Sequence, residues 1–285
     1  MAPAESEIIR WRVFLIVARA WLALIIALAL LTLLLVNIVS VTKLSSAYAW
    51  LAGCIIFLHH AKCIIAERIG LSRYSRNIPE KIMAEFRYVK EKSGISYSIP
   101  IYMKPDSVAR AAIYGFGIPY ISAVTVSTGI CNITPHEWRG VFAHEFAHIK
   151  IMNSYGILSL TLLIKLLSIY CGIFWVTEIL EFYDDYALAT VCAIIFLYYI
   201  NPLLLAVLNY GISFPINRRF EYAADAFGAY ILGSADHVID VLKIFKKINH
   251  GGGAENSPGF IPAEITHPSL DKRISALEKL KTKPS

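Results

Sequence analysis

Thr134-Pro135-His136-Glu137-Trp138-Arg139-Gly140-Val141-Phe142-Ala143-His144-Glu145-Phe146-Ala147-His148-Ile149-Lys150 is the stretch from which the rest of the chain is read. His144 and His148 stand four residues apart. On an α-helix that spacing stacks both imidazoles on one face, where they reach a single metal ion. Glu145, beside the first ring, is then placed to act on a water at that ion. The flanks predict the helix. Thr134 is an N-cap residue, Pro135 takes the first helical position, and Glu137 completes a capping box. Val141, Phe142 and Ile149 supply apolar positions for burial.

Two imidazoles leave a catalytic zinc short of its usual three protein ligands. The best further candidate lies in Arg218-Arg219-Phe220-Glu221-Tyr222-Ala223-Ala224-Asp225. Glu221 and Asp225 are again four apart. Glu221 is the expected metal ligand. Asp225 is expected to accept the other N–H of a ligand imidazole, fixing its tautomer. Arg218, one turn before Glu221, is expected to hold the acidic pair. An isolated pair of this kind usually marks an exposed salt-bridge cluster. Here it follows an apolar excursion that starts just past His148 and returns the chain to the same side.

That excursion belongs to a wider pattern. At 285 residues with 56% hydrophobic content and a mean hydropathy of +0.55, the chain is too apolar for an ordinary soluble protein. Four apolar segments carry the excess: Ala20 to Val41, Ser46 to Ala66, Ile151 to Val176 and Tyr186 to Phe214. His59, His60 and Lys62 end the second, Lys165 interrupts the third, and Asn201-Pro202 predicts a kink in the fourth. The first is too long, and too closely followed by another, for a cleaved leader.

Of the 27 Lys and Arg, most lie in the two blocks that follow the apolar pairs. The loop between the third and fourth segments instead carries Glu178, Glu181, Asp184 and Asp185. The positive-inside rule predicts both basic blocks, and both termini, on the cytoplasmic side of the inner membrane. The net charge of +6 then reflects topology and anionic lipid, so no nucleic-acid partner is expected. Cys54, Cys63, Cys131, Cys171 and Cys192 show no paired spacing, and buried thiols are expected.

The expected blocks are an N-terminal membrane hairpin (1–66), a first catalytic part (67–150), a second membrane hairpin (151–214) and a second catalytic part (215–285). The first catalytic part predicts an amphipathic helix around Glu80 to Lys92, then β-like runs at Tyr97 to Met103, Ala111 to Phe116 and Tyr120 to Ser127. Gly115, Gly117 and Pro119 predict a turn between the last two. The last catalytic part reads as helical, broken by Gly251-Gly252-Gly253. The two parts are expected to pack as one domain. The fold class is thus a mainly α membrane protein (α+β), with four transmembrane helices and a cytoplasmic zincin-like domain holding a small β-sheet and the HExxH helix. His136 reads as part of the cap, and His237 and His250 join no constellation. On spacing alone His267 is a helix entry.

Together, His144-Glu145-x-x-His148, the apolar hairpin, Arg218-x-x-Glu221-x-x-Ala224-Asp225 and His267-Pro268-x-Leu270-x-x-Arg273 resemble the HtpX-type membrane zinc metalloproteases, relatives of the zinc CAAX prenyl proteases. The resemblance covers nearly the whole chain. It implies one zinc per chain held by His144, His148 and Glu221, with Glu145 as general base and acid and Asp225 behind a ligand ring. It implies a place for His267 near the cleft, as a stabiliser of the transition state. The family often has an Asn-Ala-Phe-like strand where this chain has Ala111-Ala112-Ile113, and an Asn nearer the second histidine than Asn153; these departures touch the cleft, not the metal. The implied activity is endoproteolysis of unfolded or misfolded membrane and juxtamembrane proteins, with polypeptides and the lipid bilayer as partners. Substrate is expected to add as a strand along Tyr120 to Ser127. The alternatives are a prenyl-protein (CAAX-type) endopeptidase and a non-catalytic membrane scaffold that keeps the motif. The sequence leaves the oligomeric state open.

Overall fold

A 39-residue helix, α1 (Pro3–Val41), opens the fold and rises about 58 Å, roughly twice the hydrocarbon thickness of a bilayer. The computed structural model describes residues 3–41, 62, 70–71, 74–105, 111–114, 122–128, 133–183, 186–251 and 267–281. The predicted second apolar segment apart from residue 62, the turn at 115–119 and the glycine run past residue 251 lie outside them.

After α1 come α2 (Glu80–Ser93), β1 (Ile101–Lys104), β2 (Ala111–Tyr114), β3 (Ala123–Ser127) and α3 (Pro135–Lys150). Then follow α4 (Asn153–Tyr183), α5 (Tyr186–Ile195), α6 (Asn201–Leu208), α7 (Phe214–Leu232), α8 (Asp236–Gly251) and α9 (Leu270–Lys281). The chain divides into two compact units. One comprises Met1–Trp21, Ile65–Tyr155 and Asn217–Ser285; the other comprises Leu22–Ile64 and Gly156–Ile216.

In the first unit, α2 is the predicted amphipathic helix. It buries Ile82, Phe86, Val89 and Ser93 on one face and ends at Gly94, whose φ of 66° is the left-handed cap glycine favours. The sheet has the order β1-β3-β2, with β1 parallel to β3 and β2 antiparallel to it. β3 is therefore central and all five of its residues are buried. Over Ala123–Ser127 that overturns the expectation that substrate adds along Tyr120 to Ser127, because both backbone edges of β3 are already paired; residues 120–121 lie outside the described residues. A separate core joins α1, α7, α8 and α9 through Val13, Ala226, Ala229, Ile239, Leu242 and Leu277. Arg12 donates to the α9 carbonyls of Lys279, at 3.3 Å, and Leu280, at 3.1 Å, a cation on a helix C-terminus.

In the second unit, the Phe196 ring lies against Gly172, where an added Cβ would stand 2.5 Å from it. Ser168 donates to Asn201 on the facing helix. Small and polar contacts of this kind hold apolar helices together where burial itself offers no driving force. The predicted kink at Asn201-Pro202 takes the form of a widened π turn, Phe196–Ile200, just before the proline. A second π turn, Asn209–Ser213, precedes Pro215 in the same way. Each proline lacks an N–H and crowds the carbonyl four residues back, and the wider turn relieves both.

Among the described residues, three helical runs are long and apolar enough to cross a membrane: 11–33, 156–182 and 186–232. The last, at 47 residues, exceeds the ~20 that a crossing needs, so its polar end, carrying Arg218 to Asp225, extends past the apolar part. Cys171 and Cys192 are free thiols.

Candidate metal centre

α3 is fixed in its roll by an aromatic ladder. Its capping box forms as predicted, with Thr134 and Glu137 bonded reciprocally. Trp138, Phe142 and Phe146 follow at one-turn intervals and are buried. Trp138 stacks on Phe142 at 5.3 Å, and Phe86 of α2 meets Phe142 and Phe146, both at 5.2 Å. With this face committed to α2, His144 lies about 200° round from Phe142 and points the other way.

The opposite face receives α7. Gly228 allows the crossing: a Cβ there would stand 3.1 Å from the carbonyl carbon of Ala143 and 3.2 Å from the His144 nitrogen. Ala223 and Ala224 are fully buried beside it. This close backbone approach delivers Glu221 and Asp225 to the two imidazoles. His144 Nε2 and His148 Nε2 are 3.0 Å apart. Glu221 Oε2 lies 3.6 Å from His144 Nε2, and Oε1 lies 3.6 Å from His148 Nε2. Tetrahedral zinc with bonds of about 2.0–2.1 Å would separate its ligand atoms by roughly 3.3 Å. The three separations bracket that value, and two imidazoles with a carboxylate are a donor set that zinc accepts. These residues fit the metal.

Behind the ligand atoms sits a charged layer. Asp225 Oδ1 is 2.9 Å from His144 Nδ1, as expected of a carboxylate that sets a ring's tautomer. The sequence assigned the task of holding the acidic pair to Arg218. The guanidinium found on both carboxylates belongs to Arg273 of α9. Its Nε donates to Asp225 Oδ2 at 2.7 Å and its Nη2 to Oδ1 at 2.6 Å; Nη1 lies 3.4 Å from Glu221 Oε2. Sequence reasoning quoted Arg273 but gave it no role; its place six residues after His267 was the available signal.

The electrostatics follow from this layer. Burial alone would lower the His144 pKa, but the Asp225 hydrogen bond and the nearby carboxylates outweigh it and raise the value. For His148, burial and the neighbouring His144 outweigh the carboxylates and push the value down to about 4. Burial opposes ionisation of Glu221 and Asp225. The His267 bond, the imidazoles and Arg273 reverse that for Glu221, and Arg273 and His144 do so for Asp225. Both carboxylates are anionic at neutral pH.

Glu145 is buried and lines the same cleft of about 420 Å³ as the metal-ligand candidates. His267 enters the cleft too, its Nδ1 3.2 Å from Glu221 Oε2 and its side chain half exposed. Ala111 and Ala112 of the edge strand β2 form one rim; Val241, Leu242 and Phe245 of α8 form an apolar wall. Gly140 sets that wall close, since a Cβ there would meet the His237 carbonyl at 2.3 Å.

The peptidase family M48 model matches residues 76–281. A protein described as "Protease HtpX homolog" from Methylacidiphilum infernorum is 30% identical over 180 residues, covering 55% of this chain and 58% of that one. One of the same description from Persephonella marina is 29% identical over 185 residues, 62% of each chain. Both matches span less than two thirds of the relative's length. A third from Pyrococcus abyssi is 27% identical over 253 residues, 79% of this chain and 83% of that one.

Proposed function

Since the chain belongs to peptidase family M48, we propose that it is a membrane-bound, zinc-dependent endopeptidase acting on unfolded or misfolded membrane and juxtamembrane polypeptides. The observation that carries this reading is the meeting of His144, His148 and Glu221, drawn from α3 and α7, within 4.8 Å of one another. The blocks at 67–150 and 215–285 are its catalytic parts, and the charge asymmetry favours placing them on the cytoplasmic side of the inner membrane.

His144, His148 and Glu221 would hold one zinc, which when bound supplies a Lewis acid that polarises a carbonyl and acidifies water. Glu145 accepts the proton of the attacking water and passes it to the leaving amine. Asp225 keeps the His144 Nδ1 proton facing away from the cleft, so that Nε2 presents its lone pair. Arg273 keeps Asp225 and Glu221 ionised and in place. His267 has its Nδ1 on Glu221; donation from Nε2 to a developing oxyanion requires its imidazolium form. Substrate would pair with β2, the strand that rims the cleft, in a backbone-led mode that tolerates many sequences. A substrate held through its backbone must be unfolded where it pairs, which suits chains that have failed to insert or fold.

The test measures metal content and hydrolysis of casein by full-length protein in detergent, for wild type, Glu145→Gln and Glu221→Ala. Glu145→Gln should retain zinc and lose activity by about 10²–10⁴-fold. Glu221→Ala should lose both. Wild-type protein without zinc, or Glu145→Gln at the wild-type rate, would leave a scaffold. Cleavage of a farnesylated peptide but not casein would make it a prenyl-protein endopeptidase.

A further inference from the structure

α3 ends unusually. Ile151 is its C-cap, and Met152 takes a positive φ of 53°, rare for a side-chain-bearing residue. The chain thereby turns out of the HExxH helix within one turn of His148, and the last carbonyls of α3 lose the partners a continuing helix would provide. One of them is met from far away in sequence: Trp21 Nε1 of α1 donates to the Ile151 carbonyl at 3.0 Å. The same indole meets the Phe220 ring edge-on, with centroids 5.5 Å apart and planes at 82°. Phe220 is fully buried and directly precedes Glu221.

We propose that Trp21 is a positioning residue for the metal centre, bracing the C-terminal end of the helix that carries His144 and His148 against the helix that carries Glu221. The inference rests on the zinc-site reading above. Between Ile151 and Phe220 the chain makes its long apolar excursion, so sequence connectivity does little to fix their separation. An indole suits the task because it is rigid, offers one donor at its edge and a broad face for ring contact. Its foothold is firm: Ala20 is buried beside it, and Val13 lies in the core with α7, α8 and α9. Trp21 is the second residue of the charge-free run of α1, which starts at Ala20 after Arg19, so the first apolar helix holds the brace.

The test uses full-length protein in detergent and measures zinc affinity by chelator competition, kcat and KM on casein, and thermal stability. Loss of one hydrogen bond in Trp21→Phe, which keeps a ring against Phe220, should weaken zinc binding about fivefold. Trp21→Ala, which loses both contacts, should weaken it about 30-fold. Zinc-saturated kcat should fall in both while KM stays put. Trp11→Phe, at a position 65% exposed on the same helix, should match wild type. A purely structural role would lower yield and melting temperature alone. Trp21 variants with wild-type zinc affinity and kcat, in a wild type that binds zinc, would overturn this inference and leave the protease reading intact. A wild type that binds no zinc would overturn both.

Discussion

Arg273→Met probes the charged layer directly, because the substitution keeps much of the side-chain volume and removes only the cation. In the wild type, the guanidinium makes two bonds of 2.6–2.7 Å to Asp225 and lies 3.4 Å from Glu221. Asp225 is 2% exposed at its side chain, so water does not take over when the partner leaves. A unit-charge pair about 4 Å apart at an effective dielectric near 20 is worth roughly 4 kcal/mol. Removing one partner of a buried pair costs about 3–5 kcal/mol. For a unit of this size, about 2–4 °C per kcal/mol translates that into a melting temperature lower by about 6–20 °C without metal. Zinc brings two positive charges to the same carboxylates and offsets part of the loss, so the drop should shrink when zinc saturates the site. Arg273→Lys keeps the charge but not the two-pronged geometry and should fall between. The assay is scanning fluorimetry of detergent-solubilised protein at one scan rate, with chelator and with zinc. A metal-free variant within about 2 °C of wild type, or a drop unchanged by zinc, would refute the assignment.

Zinc affinity should fall with pH. Coordination needs neutral rings; His144 is raised above the ordinary imidazole value, so protons compete with metal as pH falls through it. His148, at about 4, adds a second, steeper loss only far lower. Chelator competition between about pH 8 and 5 should therefore show a slope near one proton, and a flat profile would contradict it. Gly228→Val places branched carbons against the Ala143 carbonyl and His144 backbone, so α7 must back away. It should cost about 1–3 kcal/mol and weaken zinc binding about tenfold, whereas Gly228→Ala should do less. Phe245→Ala opens the apolar wall of the cleft. Relative kcat/KM should move toward bulkier apolar residues by about tenfold, read from a peptide series.

What was legible in the sequence was local. The HExxH helix announced itself through spacing and cap, because both are set within a few residues. Glu221 and Asp225 emerged from the same four-residue logic. The long apolar runs needed only composition. What escaped was set by contacts distant along the chain. Arg273 meets partners 48 and 129 residues away, and no periodicity records such a meeting; Arg218 was preferred merely because one helical turn is visible in a sequence. The central place of β3 was also missed. Ala123-Val124-Thr125-Val126-Ser127 carries no charge in five residues, the mark of a strand covered on both faces, and its pairing on both edges follows from neighbours that sequence order does not rank. The widened turn before Pro202 was legible as a break but not in form, and the one before Pro215 was not read at all.

The charge of the cleft argues for the ion independently of ligand spacing. Glu145, Glu221 and Asp225 are all at most 7% exposed, and Arg273 is 9% exposed. Three carboxylates against one guanidinium leave two negative charges in a cluster largely withdrawn from water, an arrangement that costs several kcal/mol per uncompensated ion. A protein without a use for that excess would do better with amides or apolar side chains at one or two of these positions. Without metal, the cluster lowers its burden by drawing a proton onto His144, the direction in which that ring is shifted. A dication that enters between the rings and Glu221 expels that proton and cancels the remaining charge. Proton release on zinc addition, measured in weakly buffered solution, should thus rise toward one per site as the pH is lowered through the His144 value. Release that disappears in Asp225→Asn, where the group raising that value is gone, would tie the proton to His144 and its carboxylate. Release unchanged in that variant would place the proton elsewhere and remove this argument for a divalent ion.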